Sequence, residues 1–476
     1  MSRTRTMIGL VAAVAAASLA VGQVAASAAP DRPGSPRYVH GSSGIGDPYF
    51  PLTGNGGYDV LHYDLSLHYT PPAPDPAPLE GTLRATAGIV LTPTQDLDRF
   101  NLDLRGLTAT RVQINGRPMR FTQVDNELVI TPRPKLRRGH QVKVVVRYGG
   151  TTTRPTDIEG ALYGWVTTRD GAMVANEPDG AATWFPVNDH PRDKATYEFD
   201  INVPEGLVAV ANGSLTGQRT AAGRTTWSWR APDKMAAYLA TASVGNYVLR
   251  TYSAPNGLEI IDAIDQDLPD TADDGLDQQG EMLVYFESLF GKYPFVSAGA
   301  IVDDDTLGYA LETQTRPIYS RRAAESTVAH EITHQWFGNA VSPRRWQDIW
   351  LNEGWATYGS WLWAEHDGGD TAQASFEGVM EIPETDEFWD AVIADPGPFG
   401  LFIDPVYDRG GAALHALRVK IGDADFFELA RRWIRRYDDS TATTEDFERL
   451  AERVSGQDLD SFFDTWLHTG SKPTTW

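Results

Sequence analysis

The sequence predicts a multidomain α+β protein, with a β-rich N-terminal half followed by a mainly helical half. Three observations predict it. The 476 residues exceed one ordinary domain, apolar residues recur at period two between about residues 58 and 250, and beyond about residue 270 the period lengthens to that of a helix. With 41% hydrophobic and 11% aromatic residues the chain can bury a substantial core.

The first 28 residues read as a secretory signal peptide. Arg3 and Arg5 precede an Ala-rich apolar run from Met7 to Val24, and Ala26-Ser27-Ala28 offers a small-x-small cleavage site. A membrane anchor is the alternative, disfavoured because the run is short and ends at a cleavage-like site. Cleavage would remove two of the 41 Lys and Arg and none of the 64 Asp and Glu, so the charge of -23 would become -25. The expectation is a secreted protein with no membrane contact once the signal is removed. Residues 29–57, rich in Gly, Pro and Ser, are expected to form a loose lead-in.

Within residues 58–250, Leu61, Tyr63, Leu65, Leu67 and Tyr69 alternate with His62, Asp64, Ser66 and His68, the pattern of a strand with one polar face, which places both histidines outward. Val142, Val144, Val146 and Tyr148 repeat it, and Asn115-Gly116 marks a hairpin turn. Residues 251–476 form the second domain. Leu276, Leu283, Phe286 and Phe290 sit at helical spacing before Gly291 and Pro294. Ser320 can cap a helix running through Val328 and His334 toward Gly338, and another runs from about Leu351 to His366 before Gly368-Gly369.

The absence of cysteine excludes disulfides, thiol nucleophiles, iron–sulfur clusters and cysteine-ligated zinc, and the net negative charge argues against nucleic acid as the main partner. What remains is histidine and carboxylate chemistry. His330-Glu331-Ile332-Thr333-His334 puts two imidazoles on one helical face, one turn apart, where they can share a metal; Glu331 lies slightly off that face, within reach of a bound water. Eighteen residues separate His334 from Glu353, which opens the next helix and can complete a two-histidine, one-carboxylate zinc set, or can simply cap its own helix. His366, His415 and His468 lack such partners and read as surface or satisfied core residues. Asp348 is a possible acceptor for a ligand imidazole. The acidic stretches from Asp262 to Asp277 and at Asp303-Asp304-Asp305 fit no calcium loop and read as solvated surface.

The run from Val328 to Trp363, containing HEITHQWFGNAVSPRRWQDIWLNEGWATYGSWLW, resembles the zinc centre of the aminopeptidase N family of gluzincins, which includes leukotriene hydrolase. Four further segments resemble the family in the same order: Glu177–Asp189, Met235–Tyr247, Tyr285–Phe295 and Tyr407–Leu417. The resemblance implies a β-rich saddle or sandwich domain followed by a thermolysin-like catalytic domain, in a short two-domain form of the bacterial type. It implies one Zn2+ held by His330, His334 and Glu353, Glu331 as general base, and Tyr407 as donor to the developing oxyanion. Tyr309-Ala310-Leu311-Glu312-Thr313 looks like an altered copy of the family's G-x-M-E-N element, with Glu312 in the amine-binding position and Glu177 as the second amine ligand. Asn339, where many relatives have Asp, is assigned no role. The implied activity is removal of single residues from peptides with a free N-terminus. The alternatives are an endopeptidase using the same zinc chemistry, and a catalytically silent peptide-binding relative. Because the family's large C-terminal helical domain has no room, the cleft is expected to be open to longer peptides. Side-chain preference and oligomeric state are not legible.

Overall fold

Alternation dictates the first domain. In the strand Tyr58–Thr70, Tyr63, Leu65, Leu67 and Tyr69 are buried while Ser66 and His68 face water, and a bulge between Val60 and His62 leaves Leu61 half-exposed. A computed structural model describes residues 37–74 and 77–475. The predicted signal peptide and the start of the lead-in lie outside them. From Tyr38 onward the chain forms one unit.

The main sheet of the N-terminal half has eight strands in the order Ser214–Ala221, Arg224–Ala236, Lys194–Pro204, Tyr58–Thr70, Gly81–Pro93, Val142–Thr152, Thr108–Ile114, Arg117–Pro118. The last pair is joined at Asn115 and Gly116, both with positive φ (48° and 78°), as an Asn-Gly hairpin requires. Two four-stranded sheets complete the β-rich domain. One contains Ala172–Ala175, which leads into the loop carrying Glu177.

Tyr247–Ser253 pairs with Glu259–Asp265 in a five-stranded sheet, and this strand runs through residue 250, where the sequence pattern placed the boundary between the two halves. The sheet continues through Ala298–Asp303 and Ile318–Ser320, both parallel, to the short antiparallel edge strand Ala310–Leu311, directly before Glu312. Around it pack α1 (Gln279–Phe290), α2 (Glu325–His334), α3 (Trp350–His366), α4 (Ala372–Glu381), α5 (Asp404–Ile421), α6 (Asp423–Tyr437) and α7 (Thr444–Ser455). The aromatic-rich motif supplies the core between them. Phe337 stacks on Trp355 with ring centroids 4.1 Å apart, and Trp336 and Trp355 are fully buried. Among the described residues no helix is long and apolar enough to cross a membrane.

Three expectations are corrected. The described part of the lead-in is not loose: Val39–His40 pairs with the strand Leu97–Asp103, and Asp47, 1% exposed, accepts hydrogen bonds from the backbone N–H of Tyr49, Phe50 and Trp346 and lies 3.1 Å from His190 Nε2. This segment clasps both domains through isolated contacts, which leave no periodicity to read. Ser320 does not cap a helix. It ends a strand, Arg321 follows in the left-handed region and donates its N–H to the Asp303 carbonyl, and α2 begins only at Glu325. The acidic stretches are partly core: Asp262, Asp265 and Asp303 are buried, Asp262 accepting from Gln279 and Tyr252, and Asp303 from Tyr247.

Candidate metal centre

The two zinc-motif helices meet because small residues let them. A Cβ on Gly359 of α3 would lie 2.0 Å from Thr333 Oγ1 of α2, and Gly354 of α3 approaches Gly410 of α5 so closely that a Cβ there would lie 2.9 Å from the Gly410 backbone. The first contact lays His330 and His334 beside Glu353. The second brings Tyr407, one turn before Gly410, over the same spot.

The outcome is three converging donors. His330 Nε2 and His334 Nε2 are 3.1 Å apart, and Glu353 Oε2 lies 3.2 Å from the first and 3.3 Å from the second. A tetrahedral zinc with ligands at about 2.0–2.1 Å separates its donors by about 3.3–3.4 Å, so spacing and ligand types both fit zinc. His334 Nδ1 donates to the Phe337 carbonyl at 3.1 Å, which fixes the tautomer that offers Nε2 to a metal. The orienting acceptor is this carbonyl and not Asp348, which accepts from Arg345 and from the Thr444 backbone and hydroxyl.

These donors line a cleft of 370 Å³ together with Glu177, Glu312, Glu331 and Tyr407, so every site residue expected from the sequence reaches one place. Larger hollows of 840 and 630 Å³ on the β-rich domain contain none of this chemistry. The Tyr407 ring faces His330 at 5.9 Å between centroids and 25° between planes. Glu312, Glu331 and His334 each place an atom within 4.8 Å of the other two.

The electrostatics call for cations. Burial, reinforced by Glu312, Glu353 and Glu331, pushes the Glu177 carboxyl well above the ordinary carboxylate range. Burial also raises Glu312 and Glu331 against the pull of His334. Burial alone would raise Glu353, yet His334 and His330 hold it below the ordinary carboxylate range; burial would lower His334, yet Glu312 and Glu353 lift it above the ordinary imidazole value. Glu177 Oε1 and Glu312 Oε1 are buried without a hydrogen-bond partner. A buried carboxylate oxygen with no donor is costly, and a cationic guest relieves the cost.

Sequence reasoning missed the residues that hold Glu312 in place. Asn339 Nδ2 donates to the Glu312 carbonyl at 2.7 Å and Gln335 Nε2 to the same oxygen at 3.3 Å, while the Gln335 side-chain oxygen accepts the Thr315 N–H. Lys194 of the β-rich domain reaches the carbonyls of Asn339 and Ala340 at 2.7 and 2.9 Å. Asn339 and Gln335 sit within the zinc motif itself, but nothing in their spacing signals that they bind backbone. The altered segment keeps its carboxylate, and Tyr309 uses its hydroxyl to donate to the Leu162 carbonyl at 2.7 Å, tying the cleft edge to the β-rich domain. His415 is a satisfied core histidine, between Gln373 and Tyr358.

Comparison with known proteins gives the same order of parts. The Peptidase M1 N-terminal domain matches residues 60–239, and the Peptidase family M1 domain matches residues 300–466. The chain is 25% identical to Aminopeptidase M1-D of Oryza sativa subsp. japonica, over 79% of this chain and 45% of that protein, and 25% identical to Aminopeptidase N of Lactococcus lactis subsp. lactis, over 82% and 49%. It thus spans about half the length of the curated relatives it matches. The crystal structure of an M1 zinc metallopeptidase from Deinococcus radiodurans, bound to a Tyr-Ser-Ala substrate, superposes with a TM-score of 0.83 at 27% identity, covering 91% of this chain and 99% of that one. With both domain models matched in order, a whole-length structural counterpart and a convergent two-histidine, one-glutamate donor set, the chain belongs to the M1 family of zinc metallopeptidases.

Proposed function

We propose that the protein is an aminopeptidase that releases single residues from peptides with a free N-terminus, using one zinc per chain held by His330, His334 and Glu353. The carrying observation is that Glu177 and Glu312, each with a buried carboxyl oxygen that has no hydrogen-bond partner, both line the cleft that contains the three donors. An ammonium group held between them sets the first peptide bond over the donor set, so position rather than a special nucleophile decides where cutting occurs. The names of the curated relatives support the reading.

Zinc held by His330, His334 and Glu353 would supply a Lewis acid that makes water acidic enough, with a pKa of about 7, to lose a proton at neutral pH. Glu331, adjacent to His330 and buried in the same cleft, takes a proton from the attacking water and delivers it to the departing amine. The Tyr407 hydroxyl donates to the oxygen that becomes negative in the transition state. Export from the cell is part of the proposal and rests on the sequence of residues 1–28. Turnover of aminoacyl anilides by Glu312→Gln and Glu177→Gln tests the amine site. Loss of kcat/KM on free amines is expected in both, and unchanged kinetics in both would remove the assignment.

A further inference from the structure

The chain carries a charge of -23, yet residues 111–147 hold nine Lys and Arg against two acids, Asp125 and Glu127. That local charge of +7 leaves -30 for all other residues. Within this segment Arg117, Arg133, Lys135 and Arg137, with His140, line a hollow of 630 Å³ that no acid lines. All five are exposed. Lys135 pairs with Asp98 at 3.1 Å, whereas Arg117, Arg133 and Arg137 make no ion pair among the described residues.

The backbone beneath these side chains is fixed. Leu136 is a buried plug whose N–H and carbonyl both pair with Leu97, at 2.8 and 2.9 Å, so its neighbours Lys135 and Arg137 are held at the surface. Gly139 donates to the Pro93 carbonyl, the Arg138 N–H to Asp96, and the Asn115 side chain accepts the Lys143 N–H, locking the loop to the hairpin that carries Arg117. Fixed backbone lowers the ordering cost of binding. Guanidinium forks match oxyanions in two-point fashion.

We propose that this hollow binds a linear chain of phosphate groups. A phosphate chain carries a charge on every unit of its backbone, so several anions enter one concave site together, whereas a polycarboxylate hangs its charges on side arms and a bilayer presents a face too broad for a hollow. Tyr38, the aromatic of the site, already lies under the Lys135 ammonium at 4.8 Å, so it offers no free ring for a nucleobase. The acidic remainder of the protein repels the same polymer, which makes binding local and strongly dependent on salt.

The probe is fluorescently labelled inorganic polyphosphate, titrated with zinc-loaded full-length protein and with the triple variant Arg117→Gln, Arg133→Gln, Arg137→Gln. Four cationic contacts predict that wild-type affinity falls about 50-fold for a fourfold rise in salt, against roughly threefold for the one remaining contact in the variant. Peptidase turnover is expected to be equal in both, so a failed peptidase assay bears on the zinc site and not on this one. Absence of saturable binding at low salt, wild-type binding by the variant, or equal or tighter binding of polyglutamate or of phosphatidylglycerol vesicles would each overturn the proposal.

Discussion

Replacing Asp47 by Ala tests whether the segment before Tyr58 is structural. The carboxylate accepts from Tyr49, Phe50 and Trp346 at 2.8, 3.1 and 3.0 Å and from His190 Nε2 at 3.1 Å. His190 is neutral in the fold: its Nδ1 accepts the Arg192 N–H, so Nε2 carries the proton and donates to Asp47. The Trp346 and His190 donors are fully buried, and each costs about 1–3 kcal/mol when stranded; Tyr49 and Phe50 are half-buried and rehydrate more cheaply. The sum is about 4 kcal/mol, within the range for breaking a buried hydrogen-bonded charge. Asp47→Asn, which keeps an acceptor oxygen, should lose about half. Urea unfolding at neutral pH reads both. Because Trp346 stands seven residues before Glu353, zinc affinity should fall alongside stability in the Ala variant. A loss below about 1 kcal/mol with unchanged zinc affinity would mean that residues 38–57 are the loose lead-in their composition suggests.

Three further outcomes follow from the site and its surroundings. Glu331→Gln should retain zinc by metal analysis yet lose nearly all turnover, and substantial residual activity would refute its role in proton transfer. Tyr407→Phe should cost about 3 kcal/mol in kcat with little change in KM, as for other oxyanion donors, and a pure KM effect would make it a packing residue instead. Burial holds the His190 pKa below its ordinary value despite Asp47, so between that lowered value and about 6.5 the unfolded chain binds the extra proton. Stability from this group is therefore complete above pH 6.5 and declines as pH falls below it; His190→Gln should flatten that part of the stability curve, and an unchanged curve would contradict a neutral buried histidine.

Much of this was readable because it is periodic or motif-bound. The strand Tyr58–Thr70 and the helix over His330 and His334 announce themselves through spacing, whereas Glu353, which spacing leaves as ligand or helix cap, is marked out by the family resemblance of the run around it. What stayed hidden depends on contacts between segments far apart in the chain. Asp47 gains its meaning from His190 and Trp346, Asn339 from Glu312 and Lys194, and Asp303 from Tyr247. Ser320 misleads because its type suits a helix cap while its neighbours extend a strand. The basic loop went unremarked in the sequence, where its cations are spread over many residues, and the pairing of Leu136 with Leu97 is what fixes Lys135 and Arg137 at the surface.

Mass spectra taken in time from one unstructured peptide, offered with a free and with an acetylated N-terminus to the zinc-loaded protein, test anchoring by Glu177 and Glu312 most directly. A ladder of products shortened one residue at a time from the free peptide is predicted, abolished by a chelator, with the acetylated peptide intact. Internal fragments, or cleavage of the acetylated peptide at the same rate, would contradict it.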